Sequence, residues 1–408
     1  MRSSRVAYLL LWFPEPTQTF ILEEVNTLVD LGLELTVFCL YGPRSPQRLA
    51  GMAPVRAPVC RLGLASLGLV LASVVRLRRR WGPKAPPFLA RVIFRRWRSL
   101  ETAGEALWAA LAGVHLAEIF QAGGFTHLHA PWANGPATAA WVASTLSGIP
   151  FSFAARAHDL HPPDGALLEK LAAASFIRTN TEANRRYLTD LAPQAAGKLV
   201  RIYNGVSLSP GSRGFRSPRS PHRLLALGRL VPKKGFQVLL EACRELRDQG
   251  WDFHLTIAGD GPERRRLNSL IREYRLGSRV TLRGFVPHRQ VPQLFREADL
   301  FLMPSRIAPS GDRDGIPNVI LEALLHEVPV VAAAVGGIPE VVLPGETGWL
   351  VPPENPGLLA QAIREALGDT REAWRRAQQG KELVLREFNS ISNYTRLLGW
   401  LTGNAAIG

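Results

Sequence analysis

Short apolar runs alternate with helical stretches along almost the whole chain, and the alternation restarts after residue 221. A strand followed by a loop, a helix and a second apolar strand is one right-handed crossover unit of a parallel sheet. The clearest instance begins with Asp299-Leu300-Phe301-Leu302-Met303-Pro304-Ser305. It continues through Asp312-Arg313-Asp314-Gly315-Ile316-Pro317-Asn318-Val319-Ile320-Leu321-Glu322 and closes with Pro329-Val330-Val331-Ala332-Ala333. Pro317 suits the first helical turn, where its missing N–H would have no intrahelical partner, so the neighbouring amides are left for a ligand. Ligands of such sheets gather outside the carboxyl ends of the strands, where a helix start offers an anion bare amides and partial positive charge. The stretch reads as the holder of a nucleotide-linked phosphate, bracketed by the carboxylates of Asp314 and Glu322.

At 408 residues the chain exceeds one ordinary core, and two domains are expected. In the first half, strands are predicted at residues 6–13, 34–40, 127–129, 149–155, 176–178 and 199–202, with helices at 20–31, 103–120, 137–146, 167–174 and 182–191. The stretch 207–221, dense in Ser, Pro, Gly and Arg, is the linker candidate. The second half repeats the grammar with strands at 224–227, 253–258, 280–282 and 349–351 and helices at 236–248, 263–274 and 291–298, before a helical tail. The fold class is therefore α/β: two Rossmann-like doubly wound domains, 1–206 and 207–388, facing a cleft, with a last helix at 389–408. No Gly-x-Gly-x-x-Gly fingerprint is present, which argues against a dinucleotide enzyme. Residues 6–13 imitate a signal peptide but run into Pro14-Glu15-Pro16 without a small-residue cleavage site, so a first buried strand explains them better. Cys39, Cys60 and Cys243 lie far apart in apolar contexts and are expected to be buried thiols of a reducing cytoplasm.

The net charge of +15 suggests nucleic acid until it is mapped. Residues 35–100 hold 12 arginines, one lysine and no acidic residue, so +13 of the +15 sits there. Residues 62–75 are uncharged and largely apolar; Arg76, Arg78, Arg79, Arg80, Lys84, Arg91, Arg95, Arg96 and Arg98 follow. Fourteen helical residues reach only about 21 Å, short of the roughly 30 Å hydrocarbon core, so this stretch does not span a membrane. Leucines and aromatics mixed with basic residues suit an anionic bilayer surface, with Leu62, Leu69, Trp81 and Trp97 as the apolar contacts. The bland alternative is a solvated arginine face. With no reader motif elsewhere, no nucleic-acid partner is expected.

After the first strand of the second half stands Leu227-Gly228-Arg229-Leu230-Val231-Pro232-Lys233-Lys234-Gly235. A guanidinium fork and a mobile ammonium on one strand-to-helix turn can hold both phosphates of a leaving nucleoside diphosphate. With Ala258-Gly259-Asp260-Gly261-Pro262, Gly284-Phe285-Val286, the Gly315 to Glu322-Ala323 stretch, Pro329-Val330-Val331 and Gly336-Gly337-Ile338-Pro339-Glu340, this half resembles the donor lobe of the retaining GT-B glycosyltransferases of family four, the glycosyl transferases group 1. Trp12-Phe13-Pro14-Glu15-Pro16-Thr17-Gln18-Thr19-Phe20-Ile21 is similar, more loosely, to exopolysaccharide-assembly members related to colanic acid glycosyltransferases. The resemblance covers nearly all of the chain except residues 45–100.

The resemblance implies that Arg229 and Lys234 grip the diphosphate of a UDP- or GDP-sugar and that Glu322 receives the ribose hydroxyls. It implies that the amides near Pro317 to Val319 meet phosphate oxygens, that Gly284, Phe285 and Val286 border the base, and that Gly259, Gly315, Ile316 and Asn318 belong to the same donor site. Asp314 stands where the family usually has glutamate, and its carboxylate is shorter in reach by about 1.5 Å. The family's acceptor-lobe histidine corresponds to His158, or to the position of Arg156 in the exopolysaccharide members. Arg156, Thr19, Phe20 and Asn134 are the acceptor or cleft candidates. His127 and His129 share one strand face without a third ligand and are taken as packing and cleft-floor residues. Asp312-Arg313-Asp314 imitates an Asp-x-Asp metal site, but Arg229 and Lys234 already serve the phosphates, so neither metal nor cofactor is expected. The tail helix is implied to return to the first domain. These expectations describe a cytoplasmic enzyme, peripheral to the inner face of the membrane, that passes a sugar to a lipid-linked or glycan acceptor with retention. The rivals are a nucleotide-sugar epimerase and a non-catalytic nucleotide-binding assembly protein.

Overall fold

The structure, a computed structural model, describes residues 4–15, 18–43, 52–95, 99–161, 163–206, 214–216 and 220–404, apart from the side chains of Ala157 and His158. The chain divides into two compact units, Met1–Gly205 with Ser390–Gly408, and Val206–Asn389. Strands β1 (Arg5–Leu10), β2 (Glu34–Cys39), β3 (Val59–Arg61), β4 (His127–Ala130), β5 (Phe151–Ala155), β6 (Ile177–Thr179) and β7 (Leu199–Arg201) build the first sheet, in the order β3-β2-β1-β4-β5-β6-β7. The second sheet holds β8 (His222–Leu227), β9 (Phe253–Ala258), β10 (Val280–Gly284), β11 (Leu300–Met303), β12 (Val330–Ala333) and β13 (Trp349–Val351), in the order β10-β9-β8-β11-β12-β13. The strand pairs of both sheets are parallel. Helices cover both faces of such a sheet, which is why strands such as Val330-Val331-Ala332-Ala333 are apolar without alternation. In each sheet the strand order reverses beside the first strand, at β1/β4 and at β8/β11, the switch points where ligands of doubly wound sheets collect.

The basic segment departs from expectation. Its start adds a seventh strand, β3, and residues 62–75 are not one helix: Gly63, at φ +96°, precedes a 3-10 turn at Leu64–Ser66 and a helix at Leu67–Val75. Helices Leu77–Trp81 and Ala85–Ile93 follow, the second opened by prolines in its first turn. Cys60 on β3 is exposed, unlike the buried Cys39 and Cys243, because β3 lies at the sheet edge. The helix Leu100–Ala122 starts three residues earlier than its apolar pattern suggests, since Ser99 caps it by accepting from the Thr102 amide at 3.1 Å. By length and composition this helix could cross a membrane. Instead it is a core helix: Ala109, Ala110, Ala112, Val114, Leu116 and Ala117 are fully buried. A Cβ at Gly113 would stand 2.8 Å from the Ala139 carbonyl, so that glycine lets helix Gly135–Ser147 approach closely.

One buried carboxylate organises the first unit. Glu24, on helix Thr19–Asp30, is fully buried. It accepts from the Tyr8 hydroxyl of β1 and the Arg178 guanidinium of β6, and from Arg156 after β5 at 3.4 Å. Arg178 also donates to the carbonyls of Ile202 and Tyr203, each at 3.0 Å. The C-terminal helix Ser390–Thr402 closes the same core through Tyr394, Leu397 and Leu401, packed with Val6, Tyr8, Val25 and Leu28. Tyr394 Oη accepts from the Gly205 amide at 3.1 Å.

Burial alone would raise the Glu24 carboxyl, but Arg178 and then Arg156 outweigh it and hold it at about 2. The unfolded value is about 4.3, so the ionised group contributes stability that is complete above about pH 5 and is lost as pH falls toward 2. Glu24→Gln should therefore cost about 3 kcal/mol in urea unfolding at pH 7 and progressively less as the comparison moves down through pH 4. A pH-independent difference between variant and parent would contradict this account of Glu24.

Candidate functional site

All strands of the second sheet are parallel, so the loops leaving β8, β9, β10, β11 and β12 emerge at one edge. The first of them turns through Pro232–Lys234 into helix Phe236–Asp248. Gly235 makes the turn, at φ +65°; a Cβ there would lie 1.9 Å from the Pro304 carbonyl oxygen, so the β8 and β11 loops meet only because this residue has no side chain. The Arg306 amide donates to the Lys233 carbonyl at 2.9 Å and fastens the junction. On the other flank, Gly336 at φ +57° would bring a Cβ within 2.0 Å of the Asp314 carbonyl oxygen, and the Gly337 amide donates to Gly315 at 3.1 Å. The stretch around Asp314 is thus held between the loops after β8 and β12.

Across that junction run four charges. Lys234 Nζ lies 2.8 Å from Asp314, whose carboxylate also accepts from the Ser305 hydroxyl at 3.2 Å. Lys233, only 7% exposed, places its ammonium 3.0 Å from Asp312 and 3.7 Å from Asp314. Burial pushes the Asp314 carboxyl up, but Lys234 and Lys233, with hydrogen bonds from Lys234 and Ser305, hold it below its ordinary value. Asp314 is therefore not a carboxylate standing free over a ligand, and Asp312 and Asp314 face ammonium groups. Lys233 is the residue that sequence reasoning passed over. Its signal was present in the doubled carboxylates around Arg313, which can answer two lysines.

Arg229 is exposed and has no carboxylate partner among the described residues. Pro317 sits one residue earlier than expected, at the cap (φ −64°, ψ 123°) of helix Asn318–Leu325 rather than inside its first turn. No side chain caps that helix, and the Asn318 and Val319 amides have no acceptor among the described residues. Gly315 and Ile316 are half-buried before it. Glu322, one helical turn further, has its carboxyl raised by burial, with His288 opposing the shift. Gly259 follows β9 and donates to the Gly284 carbonyl at 2.8 Å. Beyond Gly284, Phe285 is exposed and Val286 half-buried. The second unit therefore brings Arg229, Lys234, Asp314, Glu322 and the bare helix start to one sheet edge.

The candidates of the first unit are distributed differently. Arg156 is a correction: it is buried, donating to the Pro131 carbonyl at 3.0 Å, Asn204 at 2.6 Å and Glu24, with its guanidinium 4.8 Å from the Phe20 ring centre. It is a core cation and does not reach solvent. Thr19 is exposed at the start of its helix, and Phe20 is half-buried and edge-on to Trp132. Asn134 precedes helix Gly135–Ser147 with its Oδ1 buried and unpartnered. The His158 side chain lies outside the described residues. Next to it, Asp159 accepts from the Ala133 amide at 2.9 Å, and burial raises its carboxyl to about 7. His127 and His129 each meet the Ser152 hydroxyl at 2.7 Å, which accounts for both as packed core side chains.

Residues 221–369 match the family model described as glycosyl transferases group 1. The chain is 28% identical, over 94% of its length and 96% of the relative's, to the putative colanic acid biosynthesis glycosyltransferase WcaL of Escherichia coli K12. It is 36% identical, over 43% of its length and 44% of the relative's, to the amylovoran biosynthesis glycosyltransferase AmsK of Erwinia amylovora. Among solved structures, Anabaena Alr3699/HepE in complex with UDP superposes with a TM-score of 0.70 at 19% identity, covering 98% of this chain and all of that one. TarM gives 0.73 at 11% identity, covering 97% and 98%. The architecture is the GT-B fold, with two Rossmann-like units. Family model and relatives support glycosyl transfer as the activity.

The junction of the β8 and β11 loops sets a test of its own. Lys233→Met removes the ammonium shared by Asp312 and Asp314, so urea unfolding at pH 7 should show a loss of about 2 kcal/mol. A variant as stable as the parent would mean that Lys233 does not hold these loops.

Proposed function

We propose that the chain is a retaining glycosyltransferase that moves a sugar from a UDP- or GDP-sugar to a lipid-linked or glycan acceptor during polysaccharide assembly, without a metal ion. The observation that carries the reading is the uncommitted Arg229 beside Lys234 and the bare amides of Asn318 and Val319, at the β8/β11 switch point. The names of the polysaccharide-assembly relatives, and the UDP held by Alr3699/HepE in its solved complex, support the same substrate class.

In the proposed reaction the bond between the sugar's anomeric carbon and the diphosphate oxygen breaks, and negative charge builds on the leaving diphosphate. Arg229, the helix start and Lys234 stabilise that charge where it develops. Lys234 exchanges its Asp314 partner for a phosphate oxygen, while Lys233 and Ser305 keep Asp314 in place beside the donor sugar. The acceptor oxygen bonds to the anomeric carbon on the face the diphosphate leaves, and the departing phosphate takes the acceptor's proton. Glu322 receives the ribose hydroxyls, and Phe285 and Val286 border the base. His158 is assigned to the acceptor side, while Arg156 supports the loop at Pro131 from below. The work is placed at the inner face of the cell membrane.

Arg229→Ala removes a charge-assisted contact worth about 1.5 to 3 kcal/mol, so UDP affinity by calorimetry should fall roughly ten- to a hundredfold. Unchanged binding would overturn the clamp. Incubation with UDP- and GDP-sugars should give transfer or slow donor hydrolysis that survives EDTA, with the anomeric configuration retained by NMR. An epimerised sugar, or binding without turnover, would instead establish one of the rival functions.

A further inference from the structure

The helix Leu67–Val75 lies on the long core helix through one side only. Val70 and Ser73 are fully buried, Ser73 Oγ donates to Glu118 at 2.9 Å, and Arg76 pairs with Glu118 at 3.0 Å. At about 100° per residue, Leu67, Leu71 and Val75 fall on a single stripe turned away from that side. Leu64, three residues earlier in the 3-10 turn, continues the stripe. These side chains are 91% (Leu64), 42% (Leu67), 48% (Leu71) and 86% (Val75) exposed. A line of exposed leucine and valine side chains, with no covering element among the described residues, marks an interaction surface. Of the apolar residues first expected there, Leu69 is exposed on the same helix, Leu62 and Trp81 pack partly on the core, and Trp97 lies outside the described residues.

Charge decides what covers the stripe. Arg78, Arg79, Arg80, Lys84 and Arg91 are all exposed in the stretch that follows it, Arg80 also donating to Gln121, and residues 35–100 contain no acidic side chain. A second copy docked face to face would set these like charges against one another. A polyanion such as nucleic acid would answer the arginines and leave the leucines in water. An anionic bilayer takes both, with the apolar stripe in the boundary between headgroups and acyl chains and the basic rim on the lipid phosphates.

We propose that the outer face of residues 64–80 is a membrane-docking surface for anionic lipid, in which Leu64, Leu67, Leu71 and Val75 insert and Arg78, Arg79 and Arg80 pair with headgroups. It rests on the reading of a lipid-linked acceptor only for its use, since docking needs no donor and no turnover. The test is co-sedimentation of the full chain with phosphatidylcholine vesicles with and without phosphatidylglycerol, at 0.1 M and 1 M salt. The comparison proteins carry Leu64→Ser, Leu67→Ser, Leu71→Ser and Val75→Ser together, or Arg78→Gln, Arg79→Gln and Arg80→Gln together. Circular dichroism matched to the parent checks that each is folded. The parent should bind anionic vesicles at low salt and lose binding at high salt, and each variant should bind at least tenfold more weakly. No binding of the parent, or parent-like binding by the serine variant, overturns the proposal. So does a dimer in sedimentation that the serine variant loses, because the face then belongs to self-association. UDP binding measured on the same samples keeps the two readings apart: docking can fail while nucleotide binding stands, and the reverse.

Discussion

A lysine that is only 7% exposed needs a carboxylate close by, and Lys233 has two. Meeting that requirement brings the loops after β8 and β11 together, with Gly235 against the Pro304 carbonyl and the Arg306 amide on the Lys233 carbonyl. Once the loops are joined, Lys234 falls beside Asp314, and the helix start at Asn318 is fixed at the same sheet edge. Lys233, Lys234, Asp312 and Asp314 cancel in charge. A buried cluster of this kind adds little net stability, because desolvation offsets most of the Coulomb attraction. Its consequence is positional. In the proposed reaction an arriving diphosphate takes Lys234 from Asp314 while Lys233 remains as the aspartate's counterion, so no uncompensated carboxylate faces the ligand.

The first unit solves a similar problem with the signs reversed. Glu24 is a buried carboxylate answered by two guanidinium groups and a phenol, and these come from β1, the residue after β5, and β6. Arg156 is therefore committed to the core, and it steadies the Pro131 carbonyl and the Phe20 and Trp132 rings above it. Each unit thus holds an ion cluster that ties several of its segments together. In the second unit Arg229 has no carboxylate partner among the described residues.

Much of the architecture was legible because parallel strands covered on both faces are unbroken apolar runs, and helices between them carry the longer period. β3 was not legible: it is three residues long, two of them Cys60 and Arg61, inside a stretch that reads as an insertion. The outer stripe at Leu64 to Val75 was hidden for a different reason. Its helix is apolar on nearly every side, so periodicity cannot say which side is covered until Val70 and Ser73 are seen on the core helix. At the candidate site, the sheet edge and the Arg229 and Lys234 turn follow from the strand-to-helix grammar. The separate duties of Lys233 and Lys234 do not, since adjacent lysines look alike until one is found buried. Arg156 was misjudged because its partner, Glu24, lies 132 residues away in sequence.

The central claim is that the β8/β11 junction is a diphosphate site in which Lys234 changes partners while Lys233 does not. A crystal structure of the chain with UDP tests it most directly. The account predicts the diphosphate within hydrogen-bond reach of Arg229, Lys234 and the Asn318 and Val319 amides, with Lys234 parted from Asp314 and Lys233 still on Asp312 and Asp314. UDP bound away from this junction, or bound here with Lys234 still holding Asp314, would contradict it.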